Sequence, residues 1–204
     1  MKNVLRLIGS LSLTVFAVAG ITQAQDEAPL VMPGTETPES HTSGESGECF
    51  VFAKYVVKTN PSEDGGANIS VYKRGSAAEN PCDTTGEAWL YVADSDNNSF
   101  SGLSGKYMFV DMGTSVDSRN LDIYDFSLHK SVLSQGYMGD PKLVSGRFLV
   151  FDSPSDKKGP ISTCKEAAKW KRQGGGVGWV QGKKLDLQTL TSVNVGTLRC
   201  VYLE

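Results

Sequence analysis

Two histidines, His41 and His129, and four cysteines, Cys49, Cys82, Cys164 and Cys200, have the most chemistry to offer in this 204-residue chain. A serine hydrolase needs a histidine that a carboxylate orients beside its nucleophile. His129 stands in Phe126-Ser127-Leu128-His129-Lys130, which reads as a hairpin turn, and no Gly-x-Ser-x-Gly elbow occurs. A cysteine nucleophile requires a thiolate of lowered pKa near a base. An even count of cysteines in an oxidising compartment favours disulfides instead. Zinc is disfavoured too, because no Cys-x-x-Cys exists and neither histidine falls into a ligand spacing with a cysteine. Asp94-x-Asp96-x-Asn98 begins like a calcium loop, yet Ser99 stands where glycine is needed and Gly105 where a glutamate belongs. Gly174-Gly175-Gly176-Val177-Gly178 lacks the Lys-Ser/Thr of a phosphate loop. A paired-carboxylate hydrolase depends on spatial pairing, and no spacing here selects a pair. The expectation is a chain without catalytic residues, metal or cofactor.

What remains is a connecting segment. Met112-Gly113-Thr114-Ser115-Val116-Asp117-Ser118 lies between two strand-like runs and is rich in small hydroxyl residues. Such a loop has little bulk and several hydrogen-bonding groups, so it suits entry into a narrow cleft; an ordinary polar hairpin has the same composition.

The elements that would hold it are strands. Leu103-Ser104-Gly105-Lys106-Tyr107-Met108-Phe109-Val110-Asp111 returns 41 positions later as Val144-Ser145-Gly146-Arg147-Phe148-Leu149-Val150-Phe151-Asp152. Each copy is a small-residue turn, a cation, an apolar run and a closing Asp. A period of about 40 residues is the spacing of propeller blades. Alternation adds strands at 49–58, 68–73, 88–93, 120–126, 130–133, 177–180, 183–187 and 197–203, with a turn at Gly139-Asp140-Pro141. Cys164 to Gln173 has helix-favouring residues and ends at a glycine run. The predicted fold is all-β, propeller-like antiparallel sheets with one short helix near 164–173; a β-sandwich is the alternative.

Residues 1–24 have a signal-peptide pattern: Lys2 and Arg6, an apolar stretch from Leu11 to Ile21, then Thr22-Gln23-Ala24. That stretch is too short and interrupted for stable membrane insertion. Residues 25–48 carry six acids and no Lys or Arg, so they read as a flexible acidic leader. The body, 49–204, is expected to form one domain in a bacterial periplasm. It is close to neutral, which argues against nucleic acid, whose binding needs a dense basic surface. Three disulfide connectivities are open. Cys49–Cys82 with Cys164–Cys200 is preferred because it staples the two ends of the domain separately.

From Val71 to Val132 the chain resembles the periplasmic immunity proteins that neutralise amidase effectors of type VI secretion. The resemblance rests on a strand ending near Cys82, a Trp-containing segment, Gly105-Lys106-Tyr107-Met108-Phe109-Val110, the hydroxyl-rich loop, and Ile123-Tyr124-Asp125. It implies a loop inserted into an amidase cleft, where a serine meets the catalytic Cys–His pair. Ser115 is the match by position, with Gly113, Thr114 and Ser118 beside it. Ser104-Gly105-Lys106-Tyr107 is similar to the Ser-Gly-x-Tyr loop of periplasmic lysozyme inhibitors, which implies partner contacts at Ser104 and Tyr107. Both resemblances imply a non-enzyme that blocks a secreted peptidoglycan amidase or muramidase. The other reading from the residues is an envelope module that binds protein or glycan through aromatics such as Trp89, Tyr91 and Trp179.

Overall fold

A computed structural model describes residues 31–75, 80–115 and 117–204; the signal-like segment 1–24 lies outside them. The architecture is antiparallel β throughout, with a single α-helix among the described residues. Strand β1 (Ser40–Gly44) borders a first meander of β2 (Gly47–Val51), β3 (Tyr55–Pro61), β4 (Ala67–Lys73) and β5 (Leu90–Val92). A second meander comprises β6 (Ser99–Ser104), β7 (Tyr107–Met112), β8 (Arg119–Asp125) and the first half of β9 (Lys130–Val144). The second half of β9 starts a third, with β10 (Phe148–Pro154), β11 (Gly176–Asp186) and β12 (Thr191–Asn194). Helix α1 (Ala167–Arg172) precedes β11, and β13 (Arg199–Leu203) pairs with the part of β11 that β12 does not reach.

The nine-residue repeat marks equivalent hairpins. Gly105 and Gly146 take the left-handed conformation, φ 59° and 62°, which glycine adopts without a Cβ clash. Lys106 then pairs with Asp125 at 2.6 Å, and Arg147 makes the matching pair with Asp186. The carbonyls of Lys106 and Arg147 accept the N–H groups of Phe126 and Leu187, just past those acids. The first meander repeats the arrangement: the Lys54 carbonyl accepts the Arg74 N–H, and Tyr55 pairs with Lys73 as Tyr107 does with Asp125. Here Lys73 replaces the acid, so no sequence repeat is visible.

The meanders stack face to face. Phe50, Val57, Ile69 and Val71 pack against Met108, Val110 and Phe126, forming one core layer. Tyr107, Phe109, Leu121 and Ile123 pack against Leu143, Leu149, Phe151 and Leu185, forming the other. Strand β7 therefore buries both faces, which is why Tyr107-Met108-Phe109-Val110 is continuously apolar instead of alternating. Face-to-face stacking is common to blades and sandwiches, and no closed ring of blades is seen among the described residues.

The acidic leader expectation fails from residue 31 onward. Met32 is buried in the core, and residues 32–36 cross between β6 and β9. The Met32 and Glu36 N–H groups donate to the Ser101 and Leu103 carbonyls, and the Leu143 N–H donates to the Pro33 carbonyl. Gly34 (φ +86°) is required there, since a Cβ would sit 1.8 Å from the Leu143 carbonyl oxygen. Composition pointed to disorder, but long-range pairing with two edge segments supplies the missing order. Gly139-Asp140-Pro141 is likewise not a hairpin turn; it falls inside β9, where the register with β10 shifts. Both disulfides are as preferred, Cys49–Cys82 and Cys164–Cys200. The second holds the α1 segment over Trp179. No helix among the described residues is long and apolar enough to cross a membrane.

Candidate functional site

The Gly113–Ser118 segment joins β7 to β8 at one end of the buried middle meander. Its start is set by Gly113 (φ +93°), whose N–H donates to the Asp96 carbonyl at 2.6 Å. That contact uses the Asp94–Asn98 turn as a buttress. The Asp94 carboxylate is occupied within it, accepting the Asn98 N–H at 2.7 Å and the Ser62 hydroxyl. Within the loop, Ser115 Oγ accepts the N–H groups of Asp117 and Ser118, at 3.2 and 3.4 Å. The Asp117 carboxylate accepts the Glu204 N–H, tying the loop to the C-terminal residue. Thr114, Ser115 and Ser118 are exposed and Gly113 is half-buried.

Beneath the loop lies a buried polar network that sequence reasoning missed. Asp111 is 8% exposed. It accepts the Tyr137 hydroxyl at 2.7 Å and pairs with Arg119 at 2.7 Å, while the Arg119 guanidinium lies over the Tyr137 ring. Burial raises the Asp111 carboxyl above its ordinary range, against the pull of Tyr137 and Arg119. Burial, and then the adjoining carboxylate, push the Tyr137 hydroxyl far upward, so it donates and does not ionise. These three residues sit on β7, β8 and β9, so they lock the strand ends from which the loop springs. A recess of about 340 Å³ lies alongside, lined by Thr114, Ser115, Ser118, Arg119 and Asp140 among others. A second, of about 280 Å³, runs past Asp117 and Ser118 to Pro154 and Leu203.

Not every expected residue belongs here. Ser104 and Tyr107 lie at the opposite end of β7, roughly 20 Å away at ~3.3 Å per residue. Tyr107 is buried and its hydroxyl donates to the Leu187 carbonyl at 2.6 Å. It thereby joins two meanders and is engaged within the fold, while Ser104 is half-buried. Trp179 is also buried, whereas Tyr91 is 58% exposed and Trp89 is half-buried. His129 is exposed and packs edge-on against Trp89 with ring centroids 4.8 Å apart. Among the described residues no three His, Cys, Asp or Glu side chains cluster closely enough to hold a metal ion.

The Asp111–Arg119–Tyr137 network escaped because its members are far apart in sequence and of unremarkable type. The one local hint was an Asp closing each nine-residue copy. Its counterpart Asp152 pairs with Arg199. Comparison with protein families, curated proteins and solved structures returned no match.

Proposed function

We propose that this chain is a non-catalytic periplasmic protein that blocks a secreted peptidoglycan amidase or muramidase by inserting the Gly113–Ser118 loop into its cleft. The observation that carries the reading is the loop's construction. Small exposed hydroxyls project from strand ends that a buried carboxylate, a tyrosine and an arginine hold in place. Loop ends fixed before binding reduce the conformational freedom lost on entering a cleft. The signal-like N-terminus and two disulfides agree with a site of action outside the cytoplasm.

The test is a turbidity assay on purified cell walls with a panel of secreted amidases and muramidases. Stoichiometric loss of activity for one of them is the expected result. Full activity of every enzyme at a large excess of this protein would remove the proposal.

A further inference from the structure

A third recess, of about 480 Å³, opens at the other end of the middle meander, and its lining includes Tyr72, Lys73, Thr85, Glu87, Trp89 and His129. The indole of Trp89 is fixed from several sides. Tyr55 stacks on it at 5.6 Å with an interplanar angle of 7°, Phe126 lies at 5.4 Å, and His129 meets it edge-on at 4.8 Å. The Lys73 ammonium stands 4.5 Å from the centre of the same ring.

Lys73 is the residue at which the first meander departs from the other two. Its equivalents, Asp125 and Asp186, neutralise the cation of their own hairpin. Lys73 cannot do this for Lys54, and no carboxylate among the described residues pairs with either lysine. Where a repeated structural rule is broken without a local compensation, a functional cause is the first to seek. The ammonium is held by an aromatic ring, so it stays available to an incoming anion. Around it are the half-buried Trp89 indole, whose ring is partly covered by Tyr55, and exposed donors and acceptors on Thr85, Glu87 and His129. Apolar ring surface beside convergent hydroxyl, carboxylate and imidazole groups matches the alternating C–H and hydroxyl faces of a sugar.

We propose that this recess binds a saccharide carrying a carboxylate, with Lys73 reading the charge and Trp89 the sugar ring. It lies about 20 Å from the Gly113–Ser118 loop, the length of β8 at ~3.3 Å per residue, so glycan and protein partner would occupy opposite ends. The proposal is independent of the loop's role.

The test is an NMR titration of the full chain with two tetrasaccharides. One alternates N-acetylglucosamine with peptide-free N-acetylmuramic acid. The other is chitotetraose, which shares the β-1,4 N-acetylglucosamine backbone and has no carboxylate. The acidic sugar should shift the Trp89 indole and His129 signals saturably and bind roughly tenfold more tightly than chitotetraose, the expected worth of one charge-assisted hydrogen bond. Lys73→Gln should bring the two sugars to equal affinity. Thr85→Trp, a surface change that fills the recess, should abolish both titrations while leaving the rest of the spectrum in place. Equal binding of the two sugars by the unaltered chain, no shift at Trp89 or His129 with either, or a preference surviving Lys73→Gln would each overturn the proposal.

Discussion

Tyr137 donates its hydroxyl to the buried carboxylate of Asp111 across 2.7 Å, joining β9 to the end of β7 from which the Gly113–Ser118 loop leaves. Replacing Tyr137 by Phe keeps the ring under Arg119 and removes that donor. Hydrogen bonds to charged groups contribute about 1.5–3 kcal/mol, so Tyr137→Phe should lower unfolding free energy by that amount. Urea denaturation followed by circular dichroism measures it, and an unchanged midpoint would show that Arg119 alone satisfies Asp111.

Acid titration separates two aspartates of opposite sign. Burial works against ionisation of Asp125, but hydrogen bonds from Lys106 and Ser127 hold its carboxyl below the ordinary 3.8. Its folded pKa is depressed, so its stabilisation is present above the unfolded value and lost as pH falls through the folded one. Asp125→Asn should therefore destabilise the protein near neutrality and flatten the loss of stability that sets in as pH falls through and below 3.8. Asp111 has the reverse sign: burial raises its carboxyl, the folded state holds the proton more tightly, and stability declines as pH rises through the window above 3.8. Asp111→Asn should remove that decline. Thermal melts across the acid range distinguish the two variants.

The middle meander is the test of layering. Met108 is fully buried against the first meander while Phe109, its neighbour, is fully buried against the third. Truncating either to Ala should cost about 2–5 kcal/mol, as for any large buried apolar side chain. Val144→Ala, at a position 41% exposed, should cost far less. Comparable losses for all three would contradict a strand buried on both faces.

The hairpins around Lys106 and Arg147 were legible in sequence because their determinants are close together: a glycine that must adopt positive φ, a cation beside it and an apolar run. Cysteine pairing was legible as a preference, since each bridge closes a loop within one end of the chain. The third copy at Lys54 was hidden because Lys73 stands where the others have Asp, and that departure also marks the Trp89 recess. Order in residues 31–36 and the passage of β9 through Gly139-Asp140-Pro141 depend on distant partners, Ser101, Leu103 and Asp152, that no local pattern announces. The loop was legible as a loop; its anchorage was not.

The Cys164–Cys200 bridge closes a loop with a sequence separation of 36. In the chain-entropy picture its removal costs about 4 kcal/mol, so Cys164→Ser with Cys200→Ser should melt many degrees below the parent. Calorimetry of the double variant beside the oxidised parent measures the difference. A melting point within a degree or two of the oxidised parent would place the stability of the third meander elsewhere, in Trp179 and its neighbours.

Affinity for an inhibited cell-wall hydrolase, measured by titration calorimetry with Ser115→Trp, tests the insertion of the loop most directly. Ser192→Trp, on the exposed strand β12, serves as the control. Weakening by roughly 2–4 kcal/mol for Ser115→Trp alone, with both variants melting like the parent, is the expected outcome for a central contact. Equal affinities for the parent and both variants would mean that the enzyme meets some other surface of this protein.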